Sequence, residues 1–221
     1  MKFNRIISLG IVAGAMFLAS CDSAPKGDEA QVADAQAAAT EGQSKLAIDN
    51  AASLVKFVGN GVGKNHPGSL KIKSGELMLK GTEVAGGMFV IDLNSMDMLE
   101  TESYIDEKLL PHLLSADFFD AAKFPESTFE ITSVTPYTPA AGETVVEGAN
   151  YKVSGNLKLR DQVKNVTFPA RITNENGVVK AAANFDIDRT QWGMSYGNDQ
   201  SLKDKFISPT VNISLDITAK G

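Results

Sequence analysis

The chain of 221 residues holds a single cysteine, Cys21, and two histidines, His66 and His112. One cysteine excludes a disulfide framework and any zinc site built on paired thiolates. Two histidines 46 positions apart, with no cysteine beside them, carry no metal signature. Positive charge is also short: 21 Lys and Arg face 27 Asp and Glu, a net charge of −6. That balance argues against nucleic acid, which asks for a clustered basic footprint. No apolar run is long enough to cross a bilayer comfortably. The longest, Ile6 to Leu18, falls short of the roughly 20 residues a spanning helix needs.

That run has a different use. Lys2 and Arg5 precede it, and Leu18-Ala19-Ser20-Cys21 closes it. The arrangement resembles the bacterial lipobox, in which residues 1–20 form a signal peptide and the cysteine becomes an acylated N-terminus. Loss of Lys2 and Arg5 moves the net charge from −6 to −8. So acidic a protein gains little from anionic lipid headgroups, and palmitate-type chains on Cys21 are expected to supply the membrane anchor. The implied location is the bacterial cell envelope, at the periplasmic face or the outer membrane. Asp22 to Ser44 has no aromatic residue and one β-branched aliphatic, Val32. Such a segment cannot bury enough apolar surface to fold by itself, and residues 21–44 are expected to be a flexible tether reaching about 25–30 Å.

From Lys45 to Gly221 the pattern is almost entirely period two. Val55 and Phe57 share one face. Ser69–Lys73 and Glu76–Lys80 alternate on either side of Ser74-Gly75 and read as a hairpin, with Leu70, Ile72, Leu77 and Leu79 inward. Phe89, Ile91 and Leu93 follow Gly86-Gly87. Tyr151–Arg160 and Asn165–Thr173 form a second hairpin with Val153, Leu157, Leu159, Val166, Phe168 and Ile172 inward. Asn176-Gly177 is a strong two-residue turn signal. Beyond it Val179, Ala181, Ala183, Phe185 and Ile187 share a face, and the alanines leave room inside. Val211, Ile213, Leu215 and Ile217 close the chain. These make about eight antiparallel strands. No strand reads as a charged, proline-blocked edge, which favours a closed barrel able to hold one small ligand over a solid sandwich.

One stretch breaks the alternation. Leu109–Ile131 reads LLPHLLSADFFDAAKFPESTFEI, with leucines at helical spacing around Pro111 and three phenylalanines before Pro125. Proline is tolerated in a helix's first turn, so a short helix is expected to begin near Pro111. Leu109–Phe119 is expected to cap the barrel mouth, and Pro125–Ile131 to re-enter the wall. The expected lining is therefore Phe57, Phe89, Ile91, Leu113, Phe118, Phe119, Phe129, Ile131, Leu157, Phe168, Phe185 and Trp192, with His66 and His112 as contacts for a polar head.

Catalytic motifs fail on context. Gly193-Met194-Ser195-Tyr196-Gly197 matches a nucleophile elbow, but that motif needs a following helix and a later histidine, and both histidines come earlier. Gly59-Asn60-Gly61-Val62-Gly63 lacks the third glycine and the helix of a dinucleotide loop. Asp188-Arg189 is read as local or cross-strand ion pairing, and Asp117 and Asp120 as helix and turn capping. No catalytic residue and no metal ligand is assigned, and the expected class is a binding protein.

Several motifs in order carry a resemblance. HLLSADFFDAAKFPESTFEI, GGMFVIDLNSM, YKVSGNLKLRDQVKNVTFPA and FDIDRTQWGM are similar to the signatures of the YceI-like family, over residues 46–219. TESYIDEKLL and the polar stretch Asn198–Asp204 depart from the family pattern at the pocket rim. The resemblance implies a lipocalin-like antiparallel barrel that holds a polyisoprenoid or another long-chain amphiphile, such as an isoprenoid quinone, for storage or transport. It implies no cofactor beyond such a lipid. The partners expected are that lipid, the membrane through Cys21, and a second copy of the chain. The competing expectation is a structural or stress-response envelope lipoprotein whose barrel is only a scaffold.

Overall fold

The computed structural model describes residues 24–221, so the expected signal peptide and Cys21 lie outside the described residues. Two short strands come first, β1 (Asp28–Glu29) and β2 (Gln31–Asp34), then β3 (Ser44–Ile48). β4 (Leu54–Gly61), β5 (Lys64–Lys80) and β6 (Glu83–Met98) follow. A π-helical turn (Ile105–Leu109) runs into helix α1 (Leu110–Leu114). The chain ends with β7 (Glu126–Pro136), β8 (Tyr151–Leu159), β9 (Gln162–Glu175), β10 (Val178–Asp188) and β11 (Thr210–Lys220).

Strands β4 to β11 make an eight-stranded antiparallel barrel, each paired with the next and β11 paired back to β4. β3 occupies the same wall position as β4. Both lie between β11 and β5, one at each end of the barrel, on either side of a turn at residues 49–53. Inward residues are those the period-two pattern selects: Val55, Leu70, Phe89, Leu157, Phe168, Phe185 and Ile217 are all buried. Asn176 and Gly177 both have positive φ, 53° and 79°, the requirement of a type I′ hairpin turn.

The expected turn at Ser74-Gly75 is not there. β5 runs straight through it for 17 residues, and the hairpin closes later, at Gly81. Gly75 serves packing instead: a Cβ there would lie 2.6 Å from that of Phe89 on β6. Register shifts at Ser69/Lys71, Ile72/Ser74 and Met78/Leu79 bend this longest strand pair around the barrel.

The expected flexible tether is also corrected. β9 and β10 pair over only five positions, Arg171–Glu175 against Val178–Ala182, and then part. The N-terminal segment fills the split. β1 joins β10 in parallel and β2 joins β9 antiparallel, so the edges of both strands are covered. Beyond them the chain belts the outside of the barrel. The Asn156 side chain receives the Gln36 N–H at 3.0 Å and donates to the Gln36 carbonyl at 2.7 Å. The Ala39 N–H reaches the Ile131 carbonyl at 3.0 Å, beside a bulge in β7. Gly86 makes room, since a Cβ there would stand 3.1 Å from that of Ala39. The composition argument excluded an independent core. It did not exclude pairing with a seam that the rest of the fold leaves open. The ordered unit therefore begins near Gly27.

Candidate ligand cavity and its mouth

The upper half of the barrel encloses a cavity of about 210 Å³. Its wall comes from β4 (Val55, Phe57), β6 (Phe89, Ile91, Leu93), β8 (Leu157, Leu159), β10 (Phe185, Ile187) and β11 (Val211, Ile213, Leu215). Leu109, Leu113, Phe118 and Phe119 cover it from the π-helical turn, α1 and the loop beyond. Pro111 stands in the first turn of α1, as its missing N–H allows. The helix is preceded by a π-turn, one turn earlier than the leucine spacing predicts. The loop folds back through N–H bonds from Phe119 to the Leu113 carbonyl and from Ala121 to the Leu114 carbonyl.

A second space of about 40 Å³ lies towards the other end, lined by Leu77, Ile131, Val153, Phe168, Ala181, Ala183 and Ile217 among others. The alanines that leave room in the sequence line this lower space. Phe89, Phe129 and Leu215 line both spaces and so separate them. The partition is part of an aromatic row. Ring centroids lie 5.3 Å apart for Phe89–Phe129, 5.8 Å for Phe129–Phe168 and 4.0 Å for Phe168–Phe185, the last pair stacked. Gly155 is the notch that receives the Phe129 ring, because a Cβ there would fall 2.3 Å from its Cζ.

Of the twelve apolar residues expected to line a site, Phe57, Phe89, Ile91, Leu113, Phe118, Phe119, Phe129, Leu157 and Phe185 line the upper cavity. Ile131 and Phe168 line only the lower space. Trp192 lines neither. It is fully buried and donates its indole N–H to the Leu157 carbonyl at 3.0 Å, which makes it a wall support. Both histidines do line the upper cavity. His66 Nδ1 is 2.8 Å from a Glu100 carboxylate oxygen, and His112 Nε2 is 3.0 Å from one of Asp117. The His112 ring meets Phe118 and Tyr196 edge-on, at 5.1 and 4.7 Å between centroids.

Arg189 corrects another expectation. It is 3% exposed and lines the cavity, but it is not in an ion pair among the described residues. Its guanidinium donates to the backbone carbonyls of Met194, Tyr196, Ile207 and Ser208. It also stands over the Phe118 ring, 5.3 Å from the centroid. Asp188 instead accepts from the N–H and hydroxyl of Thr190. Burial pushes the Arg189 pKa down, with Asp188 opposing the shift. The result is one side chain that holds the whole 194–208 excursion over the mouth and meets the lid. An Arg next to an Asp at a strand end looks like an exposed pair in sequence. Only the fold reveals the carbonyls gathered around it.

An eight-stranded antiparallel barrel with a lidded apolar cavity places the protein among single-ligand barrels. The family assignment is narrower: the YceI-like domain model matches residues 46–219, and the chain belongs to that family. Protein YceI of Salmonella arizonae and that of Salmonella newport are each 38% identical over 64 residues, 29% of this chain. The match spans 28% of the length of those curated relatives. Two solved structures share the fold. BcnA of Burkholderia cenocepacia aligns over 78% of this chain and 99% of its own, with a TM-score of 0.61 and 19% identity. A polyisoprenoid binding domain from Saccharophagus degradans, implicated in plant cell wall breakdown, aligns over 80% and 98%, with a TM-score of 0.59 and 15% identity.

Proposed function

We propose that the protein is a membrane-tethered carrier that holds the chain of a long amphiphile, of the polyisoprenoid or isoprenoid-quinone kind, in the upper cavity. The observation that carries this reading is the cavity itself: about 210 Å³, walled by aliphatic and aromatic side chains and covered by a separate apolar lid. A hydrocarbon chain gains about 0.8 kcal/mol for each CH₂ removed from water, or about 3–4 kcal/mol per isoprene unit. Membership of the YceI-like family and the likeness in fold to a polyisoprenoid binding domain support the same ligand class. In this reading Cys21 carries the acyl anchor in the cell envelope. His66 and His112 are engaged by carboxylates and Arg189 by backbone carbonyls, an arrangement that suits binding and release better than catalysis.

Native mass spectrometry of the protein extracted from its own membrane tests this directly. The expected spectrum shows an adduct of lipid mass that is lost on delipidation and restored by prenyl lipids. A protein that comes out unloaded and refuses such lipids would be the scaffold-only alternative.

A further inference from the structure

The geometry points to the head of the bound chain being an uncharged hydroxyl group, held at the mouth between Asn60 and Arg189; this rests on the lipid-carrier reading above. Asn60 lines the cavity, and its side-chain oxygen is buried without a hydrogen-bond partner among the described residues. Its amide nitrogen points the other way, 3.5 Å from the Thr210 carbonyl. A buried acceptor of this kind costs free energy until a donor meets it. Two backbone-mediated hydrogen bonds link the Asn60 main chain to Arg189: the Ser208 N–H donates to the Asn60 backbone carbonyl at 2.8 Å, and Arg189 Nε donates to the Ser208 carbonyl at 3.0 Å. The four carbonyl bonds of the guanidinium occupy four of its five N–H groups, which leaves one donor on Nη1. One orphan acceptor and one spare donor, on two residues that line the same apolar cavity, match a hydroxyl, which both donates and accepts.

A buried cation ordinarily draws a phosphate, but the surroundings oppose it. Four carbonyl dipoles already surround the guanidinium. Glu100 sets a carboxylate against His66, which lines the same cavity. A phosphate ester carries about −1.5 to −2 charges at neutral pH and offers chiefly acceptors. It would leave the Asn60 oxygen unmatched. A bare hydrocarbon would leave both polar groups unmatched.

Three ligands with one tail separate these cases: geranylgeraniol, its methyl ether and its monophosphate. Each competes with a fluorescent apolar probe for the purified full chain. The alcohol is expected to bind about 5- to 10-fold tighter than the ether, the worth of the one donated hydrogen bond, and tighter than the phosphate. Asn60→Ala should bring the alcohol and the ether to equal affinity. Asn60→Asp keeps an acceptor and should retain the preference; thermal melts of both variants confirm that they fold. Equal affinities in the wild type, a preference for phosphate, or a preference that survives Asn60→Ala would each overturn the assignment while leaving the lipid carrier standing. If none of the three displaces the probe, the carrier reading falls and the hydroxyl site falls with it.

Discussion

Replacing Phe129 with alanine tests whether the aromatic row limits how deep a chain can reach. Phe129 is 5% exposed, touches Phe89 and Phe168, and fits the notch at Gly155. A buried Phe→Ala change costs about 3–5 kcal/mol. In a domain of this size each kcal/mol moves Tm by about 2–4 °C, so the ligand-free variant should melt about 6–20 °C lower. The same change removes part of the partition between the spaces of about 210 and 40 Å³. The assay is affinity against tail length, run from farnesyl through geranylgeranyl to longer prenyl alcohols. In the wild type the gain per unit should level off where the tail meets the partition. In Phe129→Ala it should continue for a further unit, and a longer ligand should restore part of the lost Tm. Saturation at 100 times Kd adds about 2.7 kcal/mol. If the variant melts lower as expected but follows the same tail-length curve as the wild type, the partition does not set the depth.

Three further outcomes follow from the mouth and the strap. Arg189→Met should cost on the order of 3 kcal/mol, since several carbonyls lose a charged donor, and should speed hydrogen exchange across residues 194–208 before the barrel strands. Arg189→Lys should not rescue it, because an ammonium cannot span carbonyls that a planar fork reaches. Gly27→Val should free β1 and β2, because its Cβ would meet the Phe185 backbone at 2.7 Å; proteolysis within residues 24–36 reports the release. The pKa of Asp28 is raised above that of a free aspartate. Burial is the main cause, the Val145 N–H opposes it, and Asp186 and Glu143 add to it. The docked strap thus holds a proton more readily than the free strap, and docking strengthens as pH falls through the raised value. Asp28→Asn should therefore slow exchange of the strap amides at neutral pH, and its advantage over the wild type should shrink as pH is lowered.

The barrel was legible because its strands obey one rule. Where a residue such as Leu157 or Phe185 alternates with a polar neighbour, only one face of the sheet can hold it. The lid was legible for the opposite reason, since leucines at helical spacing around Pro111 cannot continue a strand. What escaped detection was whatever depends on residues far apart in the chain. Gly75 reads locally as a turn, and only the approach of Phe89 shows it to be a contact. Arg189 reads as half of an ion pair until the 194–208 excursion brings carbonyls to it. Trp192 has the size and chemistry of a pocket residue, but its N–H is spent on the Leu157 carbonyl outside both spaces. Asn60 gave no local signal at all, because an unpartnered acceptor exists only relative to its surroundings.

The strap changes what an anchor at Cys21 would mean. A free tether over residues 21–44 would let the barrel range about 25–30 Å from the membrane. With Gly27 bonded to Asp186 and β1 seated on β10, only residues 22–26 remain between the acylation site and the wall. Six residue steps span at most about 20 Å, so the proposed anchor would hold the barrel close to the membrane surface. The strap also lies outside the stretch that matches the family model, residues 46–219. With the proposed anchor in place, the barrel would keep its cavity while the length and docking of this segment set its distance from the bilayer. Gly27 itself does not line the cavity, and Gly27→Val would lengthen the tether while meeting the wall residue Phe185 at its backbone rather than its ring. Ligand affinity measured in solution should then stay constant while the rate of uptake from vesicles changes. A change in both together would show that the strap acts on the cavity itself.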